Sequence, residues 1–244
     1  MNITQIKLEN FTVFKNTEIN FASGINIFIG ENGTGKTHIL KILYSACQAT
    51  NPKVSFSHKI VRTMLPDDFK ISRLITRNRG NHSAKIKVSA QTEEKTTAKN
   101  LFLDFHNKTK KWDAEVKGEE VWEKAFHESS SIFIPAKEIL SNSYNLTAAV
   151  EKDNVRFDDT YIDILNSAKI DISVGRNSTE RDNRLKSIEK IIDGTVFYDS
   201  KKDEFYLKKG NSKQEFNLVA EGIRKMALLW QLVKNGTLEK GSVL

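Results

Sequence analysis

Gly30-Glu31-Asn32-Gly33-Thr34-Gly35-Lys36-Thr37, entered from the apolar run Ile25-Asn26-Ile27-Phe28-Ile29, matches G-x-x-x-x-G-K-[ST]. Each position has a chemical reason. Gly30, Gly33 and Gly35 allow the tight turns that bring successive backbone N–H groups, those of Asn32 and Thr34 among them, onto phosphate oxygens. A helix that starts at Lys36 adds its own unpaired N–H groups and partial positive charge. Lys36 can reach the β- and γ-phosphates of a nucleoside triphosphate, and the Thr37 hydroxyl can ligate Mg²⁺. The expected binding residues are therefore Gly30, Asn32, Gly33, Thr34, Gly35, Lys36, Thr37 and the adjoining His38, with Thr37 as metal ligand. His38 itself suits packing or solvent better than a role as a base.

Outward from this loop, Ile25–Ile29 reads as a strand buried on both faces, because it is continuously apolar and bounded by glycines. Ile39, Ile42, Leu43 and Ala46 recur at helical spacing on the far side. Ahead of it, Ile3, Ile6 and Leu8 mark one strand and Thr17–Phe21 a second. Ile60, Met64 and Leu65 suggest a short helix stopped by Pro66. Ala84–Ala90, Leu101–Phe105 and Trp112–Val116 alternate as an antiparallel meander. Ser131–Ile134 reads as a strand stopped by Pro135, and residues 136–192 as mainly helical, with a stripe of Leu185, Ile188, Ile191 and Ile192. Strands are expected at Thr195–Tyr198, Phe205–Leu207 and Phe216–Val219, then an amphipathic helix from Gly222 to Lys234, then the opening of a strand at Gly241–Leu244. The expected division is 1–135, a nucleotide-binding lobe; 136–192, a helical insertion; and 193–244, return strands and the last helix.

The 244 residues are 39% hydrophobic and 28% charged, which is enough for a core and unlike a disordered chain. Mean hydropathy is −0.46, and neither a membrane span nor a secretory leader is apparent, so a cytoplasmic protein with no membrane partner is expected. The single cysteine, Cys47, excludes an internal disulfide and a cysteine-clustered zinc site, and its place on the helix makes it a small core residue. Between Lys53 and Lys87 stand nine basic and two acidic residues, which accounts for the whole net charge of +7. Such a segment is either a solvated face or the footprint of a nucleic acid.

The opening resembles the head domain of ABC-class ATPases of the SMC and RecF kind. Ile3, Ile6, Leu8, Asn10-Phe11, Phe14, Ile19, Phe21 and Gly24-Ile25-Asn26 precede the phosphate loop as they do in that family, and the match runs over residues 3 to 43. Phe133-Ile134-Pro135-Ala136-Lys137-Glu138-Ile139-Leu140-Ser141 resembles a segment of prokaryotic "AAA family" ATPases related to the OLD and Septu anti-phage systems, in the place of the Q-loop but without its glutamine. Phe157-Asp158-Asp159-Thr160-Tyr161 looks like the same group, and also like a helix start capped by Asp158 or Asp159. Ala220-Glu221-Gly222 resembles the signature turn, with Gly222 retained and Ala220 near the expected serine.

The resemblance implies an α/β P-loop NTPase of ABC-head type, with a mixed sheet, an antiparallel β-lobe and a helical insertion. It implies ATP and Mg²⁺ as cofactors, a homodimer closed around ATP with Gly222 facing the other subunit's γ-phosphate, and a nuclease or effector partner in DNA maintenance or phage defence. The Asp-Glu of a Walker B strand does not appear before Leu244, so a C-terminally incomplete head that hydrolyses ATP poorly is expected, with no catalytic residue assigned. The alternative is a non-catalytic nucleotide-binding or interaction module. A P-loop small-molecule kinase is disfavoured, since the late loop and the signature-like helix have no role there.

Overall fold

The computed structural model describes residues 1–77, 80, 82–92, 95–127, 129–153, 155–170 and 179–238. Two compact units are distinguished, Met1–Ser131 and one that begins at Ile132. The strand opening expected at Gly241–Leu244 and the basic residue Arg79 lie outside the described residues.

The first unit is built on an antiparallel sheet. β1 (Asn2–Phe11), β2 (Phe14–Asn20), β3 (Ser83–Thr92), β4 (Lys95–His106) and β5 (Glu115–Lys117) lie in the order β2-β1-β3-β4-β5. The register aligns most apolar positions on one face: Ile6 with Val88, Leu8 with Ile86, Ile86 with Leu103 and Val88 with Leu101. All are essentially fully buried. Each such side chain contributes about 1.5–3 kcal/mol of burial, so a one-residue slip would turn the whole set to solvent. α1 (Lys36–Gln48), α2 (Phe56–Met64) and α3 (Glu119–Phe126) supply the other side of this core. Trp122 of α3 is fully buried, and its indole N–H donates to the Ala46 carbonyl of α1 at 2.9 Å, satisfying its one polar atom.

Three expected strands do not form: Ile25–Ile29, Ser131–Ile134 and, in the second unit, Phe216–Val219. Residues 25–29 belong to no strand, and Ile25, Ile27 and Ile29 are 89%, 80% and 89% exposed. A buried strand needs neighbours on its edges and cover on its faces, and no described strand runs beside this one. Only Phe28 turns inward, edge-on to Phe21 with ring centroids 6.2 Å apart. Ser131–Ile134 likewise carries only a one-residue bridge, at Ser131. The polar stretch before Leu101 is strand from Lys95, because β3 pairs with it, and the strand expected from Trp112 begins only at Glu115.

In the second unit, α4 (Leu146–Asp153), α5 (Asp159–Lys169) and α6 (Thr179–Ile192) precede the antiparallel sheet β6 (Thr195–Asp199), β7 (Glu204–Lys209) and β8 (Ser212–Glu215), and α7 (Glu221–Lys234) follows it. Asp158 caps α5, its side chain accepting from Thr160 N–H at 2.9 Å. The core joins Ile164, Leu165, Ile192, Val196, Leu207, Leu228 and Leu232. Of the expected α6 stripe, Ile191 is instead 55% exposed, since it falls off the face shared by Leu185, Ile188 and Ile192. Phe216–Leu218 is a short 3₁₀ turn rather than a strand; Phe216 drops into the core and breaks the alternation. No helix among the described residues is long and apolar enough to cross a membrane.

Candidate functional site

The phosphate loop forms as its glycines require. Gly33 and Gly35 have φ of +82° and +92°, and α1 begins on Gly35 with no side chain capping it. Its first-turn N–H groups are therefore left for a ligand. No atom comes within 4 Å of a Cβ built on Gly33, so that side of the loop is open. The opposite side is closed. A Cβ on Gly35 would lie 2.4 Å from Phe14 Cζ and 2.7 Å from Val13 Cγ2. The turn between β1 and β2 is thus the wall against which the loop is set, a role that hydrophobic patterning did not reveal.

That turn is itself held. Thr12 N–H donates to the Leu74 carbonyl at 2.7 Å, and the Thr76 hydroxyl donates to the carbonyls of Thr12 at 3.0 Å and Phe14 at 3.3 Å. His38 Nδ1 lies 3.0 Å from Thr12 Oγ1. Burial and then the charge of Lys41 push the His38 imidazole below its usual range, toward the neutral form. His38 ties α1 to the wall.

Lys36 Nζ donates to the carbonyls of Gly30 at 2.7 Å and Glu31 at 2.6 Å, and the Thr34 hydroxyl to that of Glu31 at 2.9 Å. The ammonium thus lies folded over the loop, where a phosphate would draw it off these carbonyls. Thr37, one residue on, is exposed. The donor set fits a polyphosphate: backbone N–H groups, one ammonium, one hydroxyl and glycines where a Cβ would intrude. Among the described residues, no three His, Cys, Asp or Glu side chains converge as a metal site. Thr37 is the residue that would hold a Mg²⁺ ion here.

Gly30, Asn32, Gly33, Thr34, Gly35, Lys36, Thr37 and His38 come together in the first unit, and Gly222 belongs to the second, in the first turn of α7. That turn also has no side-chain cap, and Glu221 pairs with Lys225 at 3.1 Å. A neighbouring link escaped the sequence reading. The Glu138 carboxylate, 1% exposed, meets Arg224 Nε at 3.0 Å and accepts from Ser141 N–H at 3.1 Å and Oγ at 2.9 Å, while Arg224 also donates to the Phe216 carbonyl at 3.2 Å. The segment in the Q-loop's place is thereby fastened to α7. Cys47 is buried, and burial pushes its thiol up to about 12, as expected of a core cysteine and not a nucleophile.

The basic segment does not form one patch. Lys59 is buried with its ammonium over the Tyr44 ring, Lys70 pairs with Asp68 at 2.9 Å and Arg73 with Asp67 at 3.5 Å. Lys85 stands opposite Glu9 and Asp104 on the outer face of the sheet, where alternation puts it.

The chain is similar in sequence to known proteins. A family profile described as "AAA domain" matches residues 5–228. Two proteins named "DNA replication and repair protein RecF" are similar over shorter stretches: that of Lysinibacillus sphaericus is 36% identical over 62 residues, 25% of this chain and 17% of the relative, and that of Clostridium botulinum is 31% identical over 88 residues, 36% and 24%. The similarity thus spans about a quarter or less of these relatives' length. A solved structure from work titled "Structural biochemistry of ATP-driven dimerization and DNA stimulated activation of SMC ATPases" covers 51% of this chain and 77% of its own, at 16% identity and a TM-score of 0.37.

Proposed function

The chain belongs to the AAA domain family, and from that premise we propose that it is the ATP-binding part of an ABC/SMC-like ATPase, an ATP-driven dimerisation switch. The observation that carries this reading is the uncapped start of α1 on a glycine loop that is open at Gly33. Phosphoryl chemistry asks chiefly for positioning and charge neutralisation. Backbone N–H groups from Gly30 to Thr37 and the Lys36 ammonium hold the triphosphate. Thr37 would hold Mg²⁺, which would supply neutralisation of phosphate charge. Gly222, at the N-terminus of α7, offers backbone N–H groups to the phosphate of a second copy; Ala220 brings no hydroxyl. The printed name of the RecF relatives supports a role in DNA maintenance. Phage defence with a nuclease or effector, in the cytoplasm, is the finer reading, carried by the resemblance of residues 133–141.

A second reading, nucleotide binding without catalysis, is favoured for this chain alone. Glu138 is committed to Ser141 and Arg224, and Glu221 to Lys225, so neither is placed to serve as a base. The test is phosphate release by pure protein, with Lys36→Ala controlling for contamination, beside binding of a fluorescent ATP analogue. Binding without turnover supports the second reading for this chain. Turnover near one per second, abolished by Lys36→Ala, would refute it; no binding would refute both.

A further inference from the structure

A different chemistry gathers at one end of the five-stranded sheet. Thr76 N–H donates to the Asn10 carbonyl at 2.8 Å, Ile71 N–H to the Lys111 carbonyl at 2.6 Å, and Asn107 to the carbonyls of His82 at 3.1 Å and Gly80 at 3.2 Å. These bonds set Arg73 and Arg77 at the same end as the β4–β5 hairpin, which carries Lys108, Lys110 and Lys111. All five cations are exposed, Arg73 while paired with Asp67 at 3.5 Å. Within the turn that joins the two strands, residues 107–114, the single acid is Asp113.

The hairpin is firmly built. Thr109 is buried; its hydroxyl accepts from His106 N–H at 3.0 Å and its own N–H donates to the His106 carbonyl at 2.9 Å, while Lys108 N–H donates to His106 Nδ1 at 3.1 Å. Trp112 packs on the His58 ring of α2 at 4.6 Å, yet stays 38% exposed, with the Lys111 ammonium 5.5 Å from its ring. Three lysines within four residues repel one another at a cost to stability. A rigid turn that keeps them together and outward, beside an exposed aromatic edge, has the composition of a phosphate-backbone contact. The outer sheet face differs, since there Lys7 pairs with Glu18 at 2.8 Å, Lys117 with Glu115 at 2.9 Å, and Lys85 faces Glu9 and Asp104.

We propose that the β4–β5 hairpin, with Arg77 beside it, is a docking surface for the sugar-phosphate backbone of nucleic acid, engaged without base specificity. This names the nucleic-acid surface within the proposed role in DNA maintenance, and it uses none of the residues of the phosphate loop.

The experiment titrates a fluorescein-labelled DNA duplex with the full chain at several KCl concentrations, by fluorescence anisotropy. The variant Lys108→Gln/Lys110→Gln/Lys111→Gln is compared with Lys85→Gln/Lys87→Gln/Lys117→Gln, which removes the same charge from the outer face. Each phosphate contact contributes about 0.9 to the slope of log K against log salt, so the hairpin variant should lose roughly 2.7 from that slope. At low salt it should bind at least tenfold more weakly, while the outer-face variant changes less than twofold. Equal losses would mean that only net charge matters, and no loss in the hairpin variant would remove the surface; either overturns the proposal. Competition by polyglutamate as effective as by unlabelled duplex would also overturn it, by reducing the surface to a general polyanion trap. Should the triple variant fail to fold, Lys108→Gln and Lys110→Gln singly should each lower the slope by about 0.9. Unchanged binding of the ATP analogue by the hairpin variant separates this outcome from failure of the nucleotide reading.

Discussion

Gly35→Ala isolates the fit between the phosphate loop and its wall. With φ at +92°, an L-residue there pays roughly 1–2 kcal/mol for left-handed backbone. The new methyl would also stand 2.4 Å and 2.8 Å from Phe14 Cζ and Cε2 and 2.7 Å from Val13 Cγ2, more than 0.5 Å inside the optimum of about 3.5–4.0 Å for carbon contacts. Val13 is half exposed and can yield, but Phe14 is packed against the core. Overpacking of this kind costs roughly 1–3 kcal/mol. The strain falls within the loop itself, so most of the cost should fall on nucleotide binding. A loss of at least tenfold in ATP affinity is expected, equivalent to about 1.4 kcal/mol. Gly33→Ala meets no atom within 4 Å and should bear the backbone cost alone. Adding Phe14→Leu removes the ring tip and should restore part of the loss in Gly35→Ala. The assay is binding of a fluorescent ATP analogue, with thermal unfolding run in parallel. If Gly35→Ala binds as well as Gly33→Ala, or if Phe14→Leu gives no recovery, the wall has no such role.

Arg224→Met should destabilise the chain by roughly 3 kcal/mol in urea unfolding, because it strands the buried Glu138 carboxylate, while Glu138→Gln/Arg224→Met should recover part of that; an effect below 0.5 kcal/mol, about that of a surface change, would contradict the link. Burial opposes the charged form of Asp203, but hydrogen bonds from Lys169 and Tyr198, the charge of Lys169 and the Asn145 N–H together hold its carboxyl below the usual range. Its contribution should therefore be fully present at neutral pH and disappear as pH falls below 3.8 and through the lowered folded-state value, so Asp203→Asn should be less stable than wild type at neutral pH and indistinguishable in strong acid. Ile25→Thr/Ile27→Thr/Ile29→Thr should reduce dye binding to apolar surface and self-association while changing stability by less than about 0.5 kcal/mol per site, as befits exposed residues; a large fall in the unfolding midpoint would show these isoleucines to be buried.

Local signals were legible where one residue or one period decides the outcome. Glycines at fixed offsets with Lys36-Thr37 marked the loop and the start of α1, alternation marked β1 and β3, and Asp158 marked the cap of α5. Signals that depend on a neighbour were not. Ile25–Ile29 has the composition of a buried strand, but pairing is a property of two strands, and none of those described lies beside it. Phe216 alternates with its neighbours yet serves the core from a 3₁₀ turn. Counting charge along Lys53–Lys87 hid that several of these cations are committed to Asp67, Asp68 or Tyr44, and left out the lysines after β4, which only the fold brings to Arg73 and Arg77. At the site, the contact of Gly35 with Val13 and Phe14 joins residues some twenty positions apart, and no motif records it.

Titration calorimetry of ATP with Mg²⁺ against wild type and Lys36→Ala tests the assignment of the loop most directly. Among the described residues Lys36 bonds to loop atoms alone, so the variant should unfold at an unchanged midpoint. A charge-assisted contact is worth about 1.5–3 kcal/mol, so affinity should fall by roughly ten- to 150-fold. Equal affinity of the two proteins for ATP would contradict the assignment of residues 30–37 as the nucleotide site.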